Sequence, residues 1–513
     1  MDKFKKTALI GYTGFVGSNL YLDYHFDDVY NSKNINDIIG KEYDCIVCAG
    51  ISAKKWYANL HSVEDFEQIN SLLDILKKTK TKKFILISTI DIYDNVNAEL
   101  DEDYVPDITY TNHAYGKNRL IAEKFVMNQY QDYIIIRLPG LFGFGLQKNI
   151  IFDYLNNNLK EVNVDSIFQW YDISDLYNDI NKIINMDIKI INLFTQPIKN
   201  DLLLNLFVKY NNNLTINKIF GKPICYDMLT KYSTSGYWNK NVNMLDKIEN
   251  YIDIMKNNKL IIGNLSWKHN NNFEMYHILK NYGIDSLEIS PFKFFGLSAN
   301  DINLNDIDLN NIDIYSFQAI LYPHNGNIFG SENEKNNVKN YLFKIIDIAS
   351  KSNAKILVFG SPKNRKKNEL SYCEAFNIAI PFFKEIGDYA HSKNIILCIE
   401  PNAKSYNCDF ITNSNEGREL VLKVNSNGFK LHLDVGCMFL ENENILDCIK
   451  TNLDILKHIH FSAPGLKSLI CNDHIKYNEL YREIIKIYNG KIAIEMLNCD
   501  DREIISSIKK CLI

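Results

Sequence analysis

The feature that most constrains this chain is a rhythm that runs twice. Short β-branched apolar runs alternate with amphipathic helical stretches, stop in a polar segment, and start again. Parallel strands need helix-length crossovers between neighbours, so this alternation specifies parallel sheets covered by helices. The first series has candidate strands at 7–10, 28–30, 45–49, 84–88 and 133–138. A polar stretch over 232–243 then leads into a helix over 244–256 and a short Asn-Asn-Lys hinge. The second series has eight candidates, at 260–264, 286–289, 314–319, 356–359, 396–400, 430–434, 458–462 and 492–495. Eight strands with helical spacers over about 255 residues fit a closed (β/α)₈ barrel. The expected class is α/β throughout, with a doubly wound parallel sheet over 1–256 and the barrel over 257–513. A chain of 513 residues exceeds one hydrophobic core, which agrees with that division.

Directly after the first strand stands Gly11-Tyr12-Thr13-Gly14-Phe15-Val16-Gly17, opening a helix through Ser18-Asn19-Leu20. Glycines here let backbone N–H groups approach a pyrophosphate, and a helix N-terminus favours its charge. Gly11, Thr13, Gly14, Phe15, Val16 and Gly17 are the expected cofactor contacts, with Ala49 and Gly50 at the end of the third strand. An acid normally follows the second strand to bind the adenosine ribose. Tyr30-Asn31-Ser32-Lys33-Asn34 has none. Ser32 and Lys33 would meet a 2′-phosphate, leaning toward NADP, or belong to an ordinary polar loop; NAD and NADP both stay open.

Three further segments carry a resemblance: 84–93 (Phe-Ile-Leu-Ile-Ser-Thr-Ile-Asp-Ile-Tyr), 113–123 (His-Ala-Tyr-Gly-Lys-Asn-Arg-Leu-Ile-Ala-Glu) and 137–143 (Arg-Leu-Pro-Gly-Leu-Phe-Gly). With the G-x-x-G-x-x-G spacing, residues 5–250 resemble the extended short-chain dehydrogenases/reductases, the NAD-dependent epimerase/dehydratase family. The resemblance implies a Rossmann sheet, Thr89 bonded to the reacting hydroxyl or carbonyl, and Tyr115 as general acid/base for hydride transfer. It also exposes a departure. The family's Y-x-x-x-K becomes Tyr115-x-x-x-Arg119 here. Arginine keeps the charge that lowers the tyrosine pKa and can bond a ribose, but its planar fork is not equivalent to an ammonium.

In the second series four successive strands end on a metal-ligand residue type: Glu400, Asp434, His460 and Glu495. Barrel sites collect at C-terminal strand ends. Three carboxylates and an imidazole suit a divalent metal, Mn, Mg, Co or Zn, with positions left for substrate oxygens. Residues 258–513 resemble the xylose-isomerase-like TIM barrels, the sugar phosphate isomerase/epimerase family, whose ligands close strands five to eight. That likeness implies Glu400 and Glu495 as the pair that removes and returns a proton beside a carbonyl while the metal stabilises the enediolate. Glu288, His324, Lys363 and Arg365 are placed as substrate contacts, the last two for phosphate or carboxylate. His458 is expected to pack outside the barrel, and His474 to lie in a loop near the substrate.

Together these readings describe a bifunctional carbohydrate enzyme acting on a sugar, sugar-phosphate or nucleotide-sugar in surface glycan biosynthesis. The alternatives are a non-catalytic cofactor-binding scaffold joined to a working barrel, and a DNA-repair nuclease of the endonuclease IV type. The nuclease needs more histidines and a basic face, and the net charge is −5. No nucleic acid and no membrane partner is expected. The N-terminal residues lack a secretory pattern, no run reaches the roughly 18 apolar residues of a membrane span, and the scattered cysteines suit a cytoplasmic protein. Cys45 and Cys48 form a C-x-x-C read as buried core. A homodimer is the expected assembly of the epimerase-like half.

Overall fold

The computed structural model describes residues 1, 3–94, 99–109, 113–212, 214–239, 241–307, 309, 311–471 and 474–512. The chain divides into two compact units, Met1–Lys256 and Asn257–Ile513.

The first unit is built on one six-stranded sheet. Its strands are β1 (Thr7–Ile10), β2 (Asp28–Tyr30), β3 (Glu42–Cys48), β4 (Lys80–Thr89), β5 (Tyr133–Leu138) and β6 (Ile190–Asn192). They are parallel and lie in the order β2-β1-β3-β4-β5-β6. The sequence pattern marks the first five and misses β6. Alternate residues point to opposite faces, and both faces are covered. Leu9, Cys45, Val47, Ile85 and Ile136 enter one core, and Ala8, Ile46, Cys48, Phe84 and Ile135 enter another. The two cysteines of the C-x-x-C therefore face different cores. Burial pushes the Cys45 thiol up to about 12 and the Cys48 thiol up to about 11.

Strand order reverses between β1 and β3, so the loops leaving those two strands diverge and open a crevice at their C-terminal ends. The glycine-rich loop leaves β1 and Ala49-Gly50 leaves β3. Three helices serve this edge: α1 (Phe15–Asp23), α2 (Ser62–Leu76) and α3 (Ala114–Gln129).

The second unit is a closed barrel of eight strands, each hydrogen-bonded to the next in chain order. They are β7 (Leu260–Gly263), β8 (Leu287–Ile289), β9 (Ile314–Phe317), β10 (Ile356–Phe359), β11 (Ile396–Ile399), β12 (Phe429–Asp434), β13 (Leu456–Ser462) and β14 (Ile492–Glu495). Two of the crossover helices, α4 (Glu332–Lys351) and α5 (Tyr372–Ser392), begin with reciprocal capping boxes, Ser331 with Glu334 and Ser371 with Glu374. Each box satisfies two backbone donors that a helix start leaves open. Among the described residues no helix is long and apolar enough to cross a membrane.

One expectation is corrected here. His458 does not pack outside the barrel. It is wholly buried and faces His432 and Glu288 inside. Residues two apart on a strand share a face, so His458 points the same way as His460.

Candidate active sites

In the first unit the glycine loop is shaped by backbone contacts. Gly11 turns at φ 88°, in the left-handed region, and a Cβ there would lie 2.5 Å from the Ala49 carbonyl oxygen. A Cβ on Gly17 would lie 2.1 Å from the Gly11 carbonyl oxygen, so α1 approaches β1 this closely only through glycine. Gly14 differs. Its nearest neighbour would be 3.4 Å away, and no side chain caps the helix it precedes. A bare turn and an uncapped helix start fit a pyrophosphate. Thr13, Phe15 and Val16 lie in the same turn and first helical residues. Ser32 and Lys33 are exposed just beyond β2. Asp28, the carboxylate of that strand, stands at its opposite end and accepts from the Tyr43 hydroxyl at 2.6 Å.

Thr89 closes β4 and Tyr115 stands in the first turn of α3. Burial pushes the Tyr115 phenol up to about 12, with Arg119 opposing the shift. The Arg119 guanidinium lies over the Tyr115 ring, 3.9 Å from its centroid. It also donates to both carboxylate oxygens of Asp65 on α2, one at 2.9 Å, and to the Ser52 carbonyl. The charge that the resemblance assigns to a ribose is thus engaged by Asp65, with the arginine side chain only 3% exposed. Beside Tyr115 lies a group the sequence reading missed. Lys55 donates to Asp91 at 2.7 Å, and the Tyr226 hydroxyl donates to the same oxygen at 2.6 Å. These three come from distant segments, and no spacing links them.

In the barrel, Glu400, Asp434, His460 and Glu495 come together: one ligand atom from each lies within 4.8 Å of the others. Asp434 is held on both oxygens, Oδ1 accepting from the Cys437 amide at 2.5 Å and Oδ2 from the Ser462 hydroxyl at 2.6 Å. His460 Nδ1 stands 3.0 Å from a Glu495 oxygen. A Cβ on Gly360 would meet a Glu400 oxygen at 2.4 Å, so the bare glycine makes room for that carboxylate. Burial pushes Glu400 up to about 8; His460 opposes the shift, while Glu495 and Asp434 add to it. Burial likewise raises Glu495. Crowded carboxylates in a dry site resist ionising together unless a cation joins them. The donor set, three carboxylates and one imidazole, fits a divalent metal ion.

The expected substrate contacts divide. Glu288 is fully buried, 2.8 Å from His460 Nε2, and accepts from the Ser316 hydroxyl at 2.8 Å. Arg365 is also fully buried, and one of its nitrogens donates to the Glu400 carbonyl and to Asn402 Oδ1, each at 2.7 Å. Arg365 therefore braces the backbone beneath Glu400 instead of standing in a solvated loop. Lys363 is exposed and donates to Asn325 at 3.2 Å. His324 is half-buried, its Nδ1 accepting from the Gly326 amide at 3.0 Å. His474 is exposed. The sequence reading missed His432, a third buried histidine, because it sits two residues before the Asp434 strand end.

Among family models, residues 22–178 match the NAD dependent epimerase/dehydratase family and residues 277–507 match the xylose isomerase-like TIM barrel. No curated protein matches the chain. Among solved structures, 3-keto-D-glucoside 4-epimerase from E. coli is similar at 15% identity, covering 49% of this chain and 97% of its own, with a TM-score of 0.41. UDP-glucose 4-epimerase from Thermotoga maritima is similar at 12% identity, covering 48% and 97%, with a TM-score of 0.41. D-psicose 3-epimerase from Clostridium cellulolyticum H10 is similar at 17% identity, covering 50% and 96%, with a TM-score of 0.40. The first family match supports a nicotinamide cofactor. The two matched segments are similar to the NAD dependent epimerase/dehydratase family and to the xylose isomerase-like TIM barrel, a pairing that points to a sugar epimerase or isomerase enzyme.

Proposed function

We propose that this is a bifunctional carbohydrate enzyme: an NAD(P)-dependent sugar or nucleotide-sugar oxidoreductase/epimerase joined to a metal-dependent sugar or sugar-phosphate isomerase/epimerase, serving surface glycan biosynthesis. The observation that carries the reading is the convergence of Glu400, Asp434, His460 and Glu495 at one end of the barrel. A bound divalent cation would supply the positive charge against which substrate oxygens are held and a neighbouring C–H is acidified. Glu400 and Glu495 take and return the proton at the carbon beside the substrate carbonyl. Asp434 and His460 would help to hold the cation, and Arg365 fixes the backbone that carries Glu400. In the first unit, the Tyr115 phenol, its pKa raised by burial, donates its proton to the carbonyl oxygen on reduction, and as the phenolate takes the hydroxyl proton of a carbinol on oxidation. The nicotinamide would supply the hydride acceptor or donor. The pairing has a chemical logic, since a ketone made by hydride removal acidifies the C–H that the barrel would deprotonate.

A second reading is favoured by Arg119. Because its guanidinium is engaged by Asp65, the first unit would bind a nucleotide without turning it over, and the barrel alone would be the catalyst. His432, His458 and His460 are buried and form a second group whose ring nitrogens lie within 4.8 Å of one another; the nuclease reading is disfavoured by the net charge of −5.

The test is to purify the full chain and measure bound metal and nucleotide. Sugar-dependent NAD(P)H absorbance and solvent-deuterium incorporation are then followed. Both signals support two active units. Deuterium incorporation and bound nucleotide without any absorbance change favour the second reading. If no cation binds and Glu400→Gln and Glu495→Gln leave exchange intact, the barrel assignment is wrong.

A further inference from the structure

The barrel holds more buried polar chemistry than the four strand-end ligands. Glu288, on the second barrel strand, is a carboxylate with no solvent exposure. A lone carboxylate in such a place costs several kcal/mol unless it is paired. Its ion-pair contacts are both imidazoles: His460 Nε2 at 2.8 Å and His458 Nε2 at 3.7 Å. The Ser316 hydroxyl donates at 2.8 Å to the oxygen that faces His458. Behind it, His458 Nδ1 and His432 Nδ1 lie 3.1 Å apart, one donating to the other.

His460 therefore has two differently occupied ends. Nδ1 faces Glu495 at 3.0 Å, within the set that includes Glu400 and Asp434, and Nε2 faces Glu288. An imidazole that ligates a cation through Nδ1 must carry its proton on Nε2; the Glu288 carboxylate stands 2.8 Å from that nitrogen as a charge partner, out of line for a hydrogen bond. A carboxylate in that place fixes the ring's orientation, selects the tautomer, and strengthens the nitrogen as a donor to the metal.

Resting on the reading of the strand-end cluster as a cation site, we infer that Glu288 is a positioning residue of that site. It holds His460 through Nε2 so that Nδ1 is presented to the cation, and the His432–His458 pair fills the space behind it. Glu288 is thus no substrate contact. Its carboxylate lies on the far side of the His460 ring from Glu495, and its charge is balanced through that ring when a cation is bound. The second barrel strand, outside the four that supply the ligands, thereby joins the metal site.

The experiment uses the full chain, stripped of metal and reloaded with Co²⁺ or Cd²⁺. Wild type should bind one cation per chain at this site. Glu288→Gln should bind about 10–100-fold more weakly by calorimetry, the range expected when the partner of a ligating histidine is removed. Its Co²⁺ absorption spectrum should be altered while its circular dichroism is retained. Wild-type affinity and spectrum in Glu288→Gln would overturn the inference while leaving the cation site intact. If wild type binds no cation, the site reading itself fails, and the inference with it. Should Glu288→Gln not fold, the question is settled on wild type by ¹⁵N-histidine spectra of the Cd²⁺-loaded chain. Cadmium coupling to His460 Nδ1 with a proton on Nε2 is the expected result. Coupling to Nε2, or two cations per chain with His432 and His458 as ligands, would refute it.

Discussion

Replacing Arg119 by lysine restores the spacing that sequence comparison leads one to expect, yet the structure predicts that Arg119→Lys weakens the protein. The guanidinium grips both oxygens of Asp65, reaches the Ser52 carbonyl, and lies 3.9 Å from the centroid of the Tyr115 ring, all in a buried setting. An ammonium keeps the charge but offers no planar fork. It forfeits one charged hydrogen bond, about 1.5–3 kcal/mol, and most of the ring contact, roughly 0.5–2 kcal/mol. The sum is about 2–5 kcal/mol. For a unit of this size each kcal/mol moves the melting temperature by roughly 2–4 °C, so a drop on the order of 4–20 °C is expected. Differential scanning calorimetry of the full chain reads it, the first unit's transition being the one that shifts on adding NAD(P)H. A double-mutant cycle with Asp65→Asn should show coupling of more than about 1 kcal/mol. NAD(P)H affinity should change little. A variant that melts within a degree of wild type and loses nucleotide affinity tenfold would refute the reasoning, because Arg119 would then serve the cofactor.

Other outcomes follow from the same geometry. Gly14→Ala should leave thermal stability nearly unchanged, since its Cβ meets only a contact at 3.4 Å, but should weaken NAD(P)H binding in a fluorescence titration. Gly17→Ala should lower both, by about 1–3 kcal/mol in stability, because backbone cannot move aside cheaply. Exhaustive chelation should lower the barrel's thermal transition and Mn²⁺ should restore it, whereas Glu400→Gln should respond to neither. Thiol labelling at pH 8 should reach exposed Cys373 and Cys471 but not Cys45 or Cys48. Both buried thiols have raised pKa values, so the reactive thiolate is scarce there until pH climbs toward 11 or the chain unfolds. Stoichiometric native labelling of Cys48 would contradict the burial argument.

The sequence by itself determined both folds and singled out four strand-end residues that the barrel brings together. A parallel strand must be apolar on both faces and separated from its neighbour by a helix, so strand count and order of appearance show as a rhythm. Barrel geometry then brings the ends of successive strands together, which is why Glu400, Asp434, His460 and Glu495 could be singled out though they span almost a hundred residues. What only the tertiary structure decided is which way each polar group is used. Arg119 is on the expected helix face, but a carboxylate from another helix, Asp65, engages it. Glu288 lies on the second barrel strand and Arg365 in the segment after β10, as foreseen, yet one stands 2.8 Å from His460 and the other braces the Glu400 backbone. Lys55, Asp91 and Tyr226 meet only because three distant segments converge. Burial pattern is a property of local sequence, but the partner of a buried charge is set by whatever the fold places within about 3 Å of it.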